Sequence, residues 1–269
     1  MEKIKTYFQN FVIRCLAQGP VPRHLAFIMD GNRRWAKNNK KSTKQGHEKG
    51  ALTLRTVIEI AQAVGVKEMT VFALSIDNLK RDKEEVDYLM NLARKFFNKM
   101  SDNENLFNEK EIKVLIHGDL DKGPEDVAKE MRGVMERTKD YTKFTLNVCF
   151  LYSSKDEVLR SMEGTYEEMR RIMNGDIDLD EDETIEERLQ KKIKQGLMVK
   201  SQPDILVRTG DDRRLSKFLC FQSTCTELMF LKEKWPDMGL LSMVKIFMYY
   251  KMKFEEIRKN KSDFLGLDD

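Results

Sequence analysis

Short apolar runs alternate with helical stretches along most of the chain, and that alternation restricts the fold more than any other feature. Residues 25–29, 69–74, 112–116, 144–150, 205–207 and 228–231 have the length and composition of strands. Between positions 50 and 64, Leu54, Val57, Ile58, Ala61 and Val64 fall on one helical face, and Gly65 supplies a stop. Residues 84–100 and 124–139 repeat the pattern. Helices of this length between strands act as crossovers, and crossovers join parallel neighbours in a sheet covered on both faces. The expected fold class is α/β: a single domain with a mainly parallel six-stranded central sheet flanked by helices. No internal repeat or Pro/Gly-rich linker divides the chain.

Ligands of such sheets bind beyond the carboxyl ends of the strands. Asp30, Ser75 and Arg208 each directly follow a strand candidate, so segments far apart in sequence are expected to converge on one edge. The richest of them is HLAFIMDGNRRWAK, residues 24–37. A strand runs into Asp-Gly-Asn and then into a pattern that can continue as a helix. Gly31 lets the backbone come close, a helix start points N–H groups at an anion, and Arg33 and Arg34 add charge. Asp30 would repel a phosphate unless a divalent metal sits between them. On spacing alone, an ordinary Asp-Gly turn followed by solvated basic residues fits equally well.

Two further blocks follow in order, FALSIDNLKRDKEEVDYLM at 72–90 and DILVRTGDDRRLSKFLCFQ at 204–222. Together the three blocks resemble the signature of the cis-prenyltransferases, the undecaprenyl and dehydrodolichyl diphosphate synthases. The resemblance spans residues 24–258, and the phrases GPVP, SIDN and LNVCF place it nearest the eukaryotic branch. It implies a head-to-tail condensation. An allylic diphosphate such as farnesyl diphosphate loses its diphosphate, the double bond of isopentenyl diphosphate attacks the allylic carbon, and a proton leaves to give a cis double bond. The implied product is a long-chain (dehydrodolichyl) diphosphate for dolichol and glycosylation. The implied cofactor is Mg²⁺, and the implied place is the cytoplasmic face of the endoplasmic reticulum membrane, peripherally, or the cytoplasm.

Carried over position by position, the resemblance makes Asp30 the essential carboxylate, holding Mg²⁺ on the allylic diphosphate. Gly31, Asn32, Arg33 and Arg34 become contacts to that diphosphate, with Trp35 and His47 as further substrate positions. Ser75 and Asn78 fall between the two substrates, and Asn78 occupies the position assigned to proton removal. An amide is a poor base, so Asn78 is read as positioning the reacting groups. Arg81 becomes a substrate contact that Glu85, one turn on, can orient. Arg208, Arg214 and Ser216 match the isopentenyl diphosphate site, where arginine forks suit a diphosphate better than lysine. Glu227 matches a second metal carboxylate. Without the resemblance, His47 reads as a surface histidine before a helix and Glu227 as a surface glutamate beside a strand.

The chain departs from the family pattern in places. Thr43, with Lys44 beside it, stands where an arginine is usual. Asp211-Asp212 replaces Gly-Glu, which asks Asp211 to hold a tight turn. Phe221 replaces a tryptophan. The tail EEIRKNKSDFLGLDD contains Arg258 and Gly266 without the Arg-x-Gly spacing of homodimeric bacterial members. That points to a heterodimer with a related, inactive subunit of the Nogo-B receptor type.

Composition narrows the remaining classes. Basic and acidic residues nearly balance, 48 against 45, so no nucleic-acid partner is expected. No apolar run reaches the roughly 18 residues needed to span a bilayer. Within an N-terminal amphipathic segment, 1–23, the side chains Ile4, Phe8, Phe11, Val12 and Cys15 share a helical face that suits protein packing or a membrane surface equally. The catalytic domain is then 24–258, with a charged tail at 259–269. Four scattered cysteines without a CxxC pair read as core thiols in a reducing compartment, not a zinc site. In the acidic stretch 174–187, Asp176, Asp178, Asp180 and Glu187 match calcium-loop positions, but Glu181 stands where glycine is needed. Thr184 with Glu187 reads instead as a capping box. Residues 238–254 are apolar on nearly every helical face, which predicts a dimer through this helix and the 84–100 helix. Two rival readings are a non-catalytic scaffold subunit and a short-chain cis-prenyl synthase of terpene metabolism.

Overall fold

A computed structural model describes residues 2–101, 106–177 and 183–265. In chain order it contains α1 (Glu2–Leu16), β1 (His24–Ile28), α2 (Asn32–Asn38), α3 (Thr43–Val64), β2 (Glu68–Ser75), a 3₁₀ turn (Ile76–Lys80), α4 (Lys83–Ser101), α5 (Leu106–Glu109) and β3 (Ile112–His117). A second 3₁₀ turn (Leu120–Lys122), α6 (Glu125–Arg137), β4 (Phe144–Tyr152), α7 (Ser154–Met173), α8 (Ile185–Gly196), β5 (Ile205–Arg208), β6 (Glu227–Phe230), a third 3₁₀ turn (Trp235–Asp237) and α9 (Leu240–Leu265) follow. The expected strands are all present, shifted by a residue or two at their ends. Helix α3 begins earlier than its apolar pattern suggested. Ser42 and Gln45 form a capping box there, and Gly65 closes the helix at φ 113°.

The six strands form one sheet in the order β3-β4-β2-β1-β5-β6, and every pair is parallel. Alternation along β1 shows the layering. Leu25 and Phe27 face the larger core with side chains of α3, α4, α6 and α9, whereas Ala26 and Ile28 face a smaller cluster with Val199, Phe218 and Leu219. Large side chains such as Phe27 and Phe247 are fully buried, each contributing about 1.5–3 kcal/mol. Because β2, β1 and β5 are adjacent and parallel, the ends carrying Ser75, Asp30 and Arg208 lie side by side, as expected.

The opposite edge of the sheet carries a buried polar network. His24 Nε2 meets Thr70 Oγ1 at 2.7 Å, and its Nδ1 meets Ser201 Oγ at 3.1 Å. Ser201 and Asn147 both donate to Glu68, at 2.5 and 2.6 Å, and Asn147 Oδ1 accepts from His117 Nε2 at 2.9 Å. The His24 backbone N–H donates to Asp204 at 2.8 Å, and Lys261 of α9 closes onto the other Asp204 oxygen at 2.5 Å.

Several expectations need correction. Helix α1 packs through Val12, Ile13 and Leu16, while Tyr7, Phe8, Phe11 and Cys15 are exposed. The face singled out from sequence is therefore largely the outward one; the Ile4 side chain lies outside the described set. Only Cys149 among the thiols is buried; Cys15 and Cys220 are exposed and Cys225 is half-buried. Burial pushes the Cys149 thiol up, with Glu157 adding to the effect. Helix α9 buries Met243, Ile246, Phe247 and Tyr250 in its own subunit and leaves Leu241, Met248 and Met252 exposed. Helix α4 packs on α6 and α3, and its apolar face lines an internal chamber, so that face is not free to join α9 in a dimer contact. The Thr184–Glu187 capping box opens α8 as expected. The candidate calcium positions Asp178, Asp180 and Glu181, and the end of the tail including Gly266, lie outside the described residues.

Candidate active site

A cleft of about 850 Å³ opens over the carboxyl ends of β1, β2 and β5. Asp30 stands at its floor. One carboxylate oxygen accepts the Gly31 N–H at 2.6 Å, and the other takes Arg208 at 2.8 Å and Arg34 at 3.1 Å. Burial pushes this carboxyl up, but the Arg208 hydrogen bond, the contact with Asp212 and the charges of Arg34 and Arg208 outweigh it and hold it below the usual range. Gly31 takes φ 104° before α2, and a side chain there would come within 2.9 Å of Lys234 Cβ. That double restriction explains the glycine.

On α2, Asn32 donates to the Met29 carbonyl at 3.2 Å and leaves its buried Oδ1 without a partner. Arg33 lies 3.8 Å from Glu85, and Arg34 spans Asp30 and Asp212. Trp35 does not line the cleft. It is buried, donates to Asp237 at 2.6 Å and lies under Lys41, so it braces the turn. His47 does line the cleft, with Nε2 buried and 3.7 Å from Glu85. Its burial outweighs the Glu85 charge and lowers its pKa, so the ring is neutral near pH 7. Lys44 turns away, over the ring of Tyr88, and does not replace the arginine missing at Thr43.

From β2, Ser75 and Asn78 form a capping box: the Ser75 side chain accepts the Asp77 N–H and Asn78 Oδ1 accepts the Ser75 N–H. Arg81 meets Glu85 at 2.9 Å, as the helical spacing predicted. From β5, Arg208 is almost fully buried and donates to Ser216 at 2.8 Å and to the Arg214 carbonyl, leaving Nε without a partner. Arg214 meets Asp212 at 2.9 Å. Asp211 does hold the tight turn, at φ 70°.

Glu227 is not brought to this cleft. It pairs with Ile205 at the start of β5, while Arg208 at the end of β5 pairs with Phe230. Three residues of strand separate the two levels by about 10 Å. Glu227 instead accepts a hydrogen bond from Tyr249 of α9. Within one chain it cannot share a metal ion with Asp30. Asp212 sits in the same arginine cluster as Asp30, and the sequence reading passed over it. Its position four residues after Arg208, in an arginine-rich loop, was the available signal. The described residues hold no cluster of three or more potential ligands. Two oxygen-donor carboxylates beside a polyphosphate site nevertheless fit Mg²⁺, which takes one or two carboxylates and completes its shell with phosphate and water.

Beside the cleft lies an apolar chamber of about 130 Å³, walled by Leu54 of α3, Leu89, Leu92, Ala93, Phe96 and Phe97 of α4, and Val148 and Phe150 of β4. His47, Asn32 and Phe72 border both spaces. The arrangement is an anion cleft with at least five arginines and a door onto hydrocarbon. It can hold two diphosphates together and take up an apolar chain.

Residues 28–257 match the undecaprenyl diphosphate synthase family. Among curated relatives, a dehydrodolichyl diphosphate synthase complex subunit of Schizosaccharomyces pombe is 35% identical, covering 91% of this chain and 90% of its own. A human dehydrodolichyl diphosphate synthase complex subunit is 32% identical, covering 94% and 74%. An isoprenyl transferase of Thermotoga maritima is 37% identical, covering 81% and 88%. Among solved structures, lavandulyl diphosphate synthase from Lavandula x intermedia superposes with a TM-score of 0.74 at 24% identity, covering 86% of this chain and 95% of that one, which places the fold.

Proposed function

The chain belongs to the undecaprenyl diphosphate synthase family of cis-prenyltransferases, and from that premise we propose how its cleft works. The reaction is the condensation of isopentenyl diphosphate with an allylic diphosphate such as farnesyl diphosphate, extended to a long-chain cis-polyprenyl diphosphate for dolichol. The observation that carries this reading is the junction of an arginine-lined cleft with an apolar chamber at His47 and Phe72. The allylic diphosphate sits over Gly31 to Arg34 and Arg81, with its hydrocarbon entering the chamber. The diphosphate of the second substrate sits on Arg208, Arg214 and Ser216.

Binding both diphosphates on one edge turns a collision between two polyanions into an oriented encounter. The arginines stabilise the charge that builds on the leaving diphosphate. Ser75 and Asn78, tied to each other, hold the second substrate so that its double bond meets the allylic carbon and its departing proton faces a phosphate oxygen. Neutral His47 adds no competing charge at the chamber door. Mg²⁺ would be held by Asp30 with Asp212, and when bound it would neutralise phosphate charge. Incubation with farnesyl diphosphate, labelled isopentenyl diphosphate and Mg²⁺, followed by product sizing, tests the reading. No incorporation by the chain, alone or with an added partner subunit, would refute it.

Assembly and location belong to the same proposal. The exposed Leu241, Met248 and Met252 of α9 form the face for a partner, which we take to be a Nogo-B receptor-like subunit in a heterodimer. The exposed Tyr7, Phe8 and Phe11 of α1 suit peripheral contact with the endoplasmic reticulum membrane. No helix among the described residues is long and apolar enough to cross it. Sedimentation of the purified chain tests the first point: a fully active monomer would refute it.

A further inference from the structure

The loop after β5 and the turn after β2 face each other across the cleft, and a charged pair joins them. Lys217 Nζ lies 2.7 Å from Asp77, 140 positions away in sequence. We propose that this pair is a positioning bridge, which holds the loop carrying Arg214 and Ser216 against the turn carrying Ser75 and Asn78. The inference rests on the functional reading above and assigns that site two residues not otherwise used in it.

The backbone of the loop supplies the reason a bridge is needed. Ser216 and Lys217 both lie in the left-handed region, at φ 51° and 62°, and Leu219 follows at 45°. Residues with side chains hold such conformations only where their surroundings over-determine them. Three ties do so here. The Lys217 carbonyl accepts the Ser154 N–H at 2.8 Å. The Phe218 ring stacks on Phe72 of β2, centroids 4.8 Å apart and planes 15° from parallel. The third tie is Lys217 to Asp77. The first two fix the root of the loop from below, and the third spans the cleft mouth beside Ser216, whose hydroxyl accepts from Arg208.

An ordinary surface ion pair is the competing explanation, since both side chains are about half exposed, 51% and 45%. Such a pair adds little to global stability. A bridge between two substrate-bearing loops would instead show in binding of the second substrate, and the two explanations part there. Asp77 also meets Lys80 at 3.0 Å, and hydrogen bonds from Lys217 and Lys80 pull its carboxyl to about 2, so the pair stays charged at working pH.

The test uses Lys217→Ala, Asp77→Ala, the double variant and the charge swap Asp77→Lys/Lys217→Asp. Dissociation constants for isopentenyl diphosphate come from calorimetry, and KM for both substrates and thermal midpoints from the same preparations. Each single variant is expected to weaken isopentenyl diphosphate binding about two- to fivefold, with the allylic KM and the midpoint unchanged. The double variant should be no worse than the worse single, and the swap should recover most of the loss. Unchanged binding in both singles overturns the bridge. So does weakening by Lys217→Ala alone, which makes Lys217 a direct phosphate cation. A wild-type chain that neither turns over nor binds isopentenyl diphosphate overturns the functional reading itself, and the bridge with it.

Discussion

Both edges of the sheet carry polar clusters, and they are built to opposite specifications. At the amino edge, His24, Thr70, Asn147, Glu68, Ser201 and Asp204 each find a partner inside the network. At the carboxyl edge, Asn32 Oδ1, His47 Nε2 and Arg208 Nε are buried without one, beside an open cleft. Asp211, Ser216 and Lys217 hold left-handed backbone at that second edge, beside the cleft. Unmet hydrogen-bonding capacity and local strain gathered beside an open cleft mark a place that awaits a ligand, whereas the groups of the His24 network satisfy one another. Histidine by itself distinguishes nothing, since the network holds His24 and His117 and the cleft holds His47.

The largest effect expected from this contrast is at Asp30. Asp30→Asn keeps the shape but loses the charge, and turnover should fall by about three decades or more while the thermal midpoint moves little. Steady-state kinetics and a melting curve on one sample check both halves; near-normal activity with Mg²⁺ present would break the comparison.

Arg208→Ala and Arg214→Ala should raise the KM for isopentenyl diphosphate more than that for the allylic substrate. Each removes a charged contact worth roughly 1.5–3 kcal/mol, about 10- to 150-fold. Arg34→Ala should act more on the allylic substrate. Equal effects on both substrates from all three would erase the division of the cleft.

At the amino edge the pattern should invert. Asn147→Leu strands His117, removes one of the two donors to Glu68 and should lower unfolding free energy by about 1–3 kcal/mol, with kcat/KM of the remaining folded enzyme unchanged. Denaturant titration beside a kinetic assay at low temperature would show it.

The same contrast predicts a pH dependence of stability. Burial pushes His24 from its ordinary 6.5 down to about 4, against the opposing pull of Glu68 and Asp204. Between those values the unfolded chain binds a proton that the folded chain refuses. Stability from this site is therefore complete above about 6.5 and is lost as pH falls toward 4. His24→Gln should flatten the denaturation midpoint in that window; an unchanged slope would remove His24 as its source.

Strand order of convergence was legible because it depends only on where apolar runs stop: Asp30, Ser75 and Arg208 at three run ends were enough. The arginines and Asn78 were singled out through the family resemblance, since spacing alone fitted an ordinary turn with solvated charges equally well. Glu227 was misplaced because strand direction, not proximity to a motif, decides which edge a residue reaches, and the residue at the head of β6 reaches the wrong one. Trp35 was taken for a substrate contact although its indole N–H finds Asp237, 202 positions away, a pairing no local pattern contains. The chamber was missed for a different reason. Leu89, Leu92, Ala93 and Phe96 give the same periodicity whether a helix faces solid core or a void. The outward aromatic face of α1 was likewise invisible, because an amphipathic pattern names two faces without saying which one the protein covers.

The meeting of Asp30 and Arg208 joins residues 178 positions apart. Strands β1 to β4 can pair among themselves before β5 exists, since β5 adds only to the outer side of β1. Contacts of such separation are slow to close, and they close late. A newly made or partly unfolded chain can thus hold most of its sheet and still be chemically silent. Competence arrives with the last long-range pairing, so a defect in β5 or its loop abolishes the activity of molecules that spectroscopy would still count as largely folded.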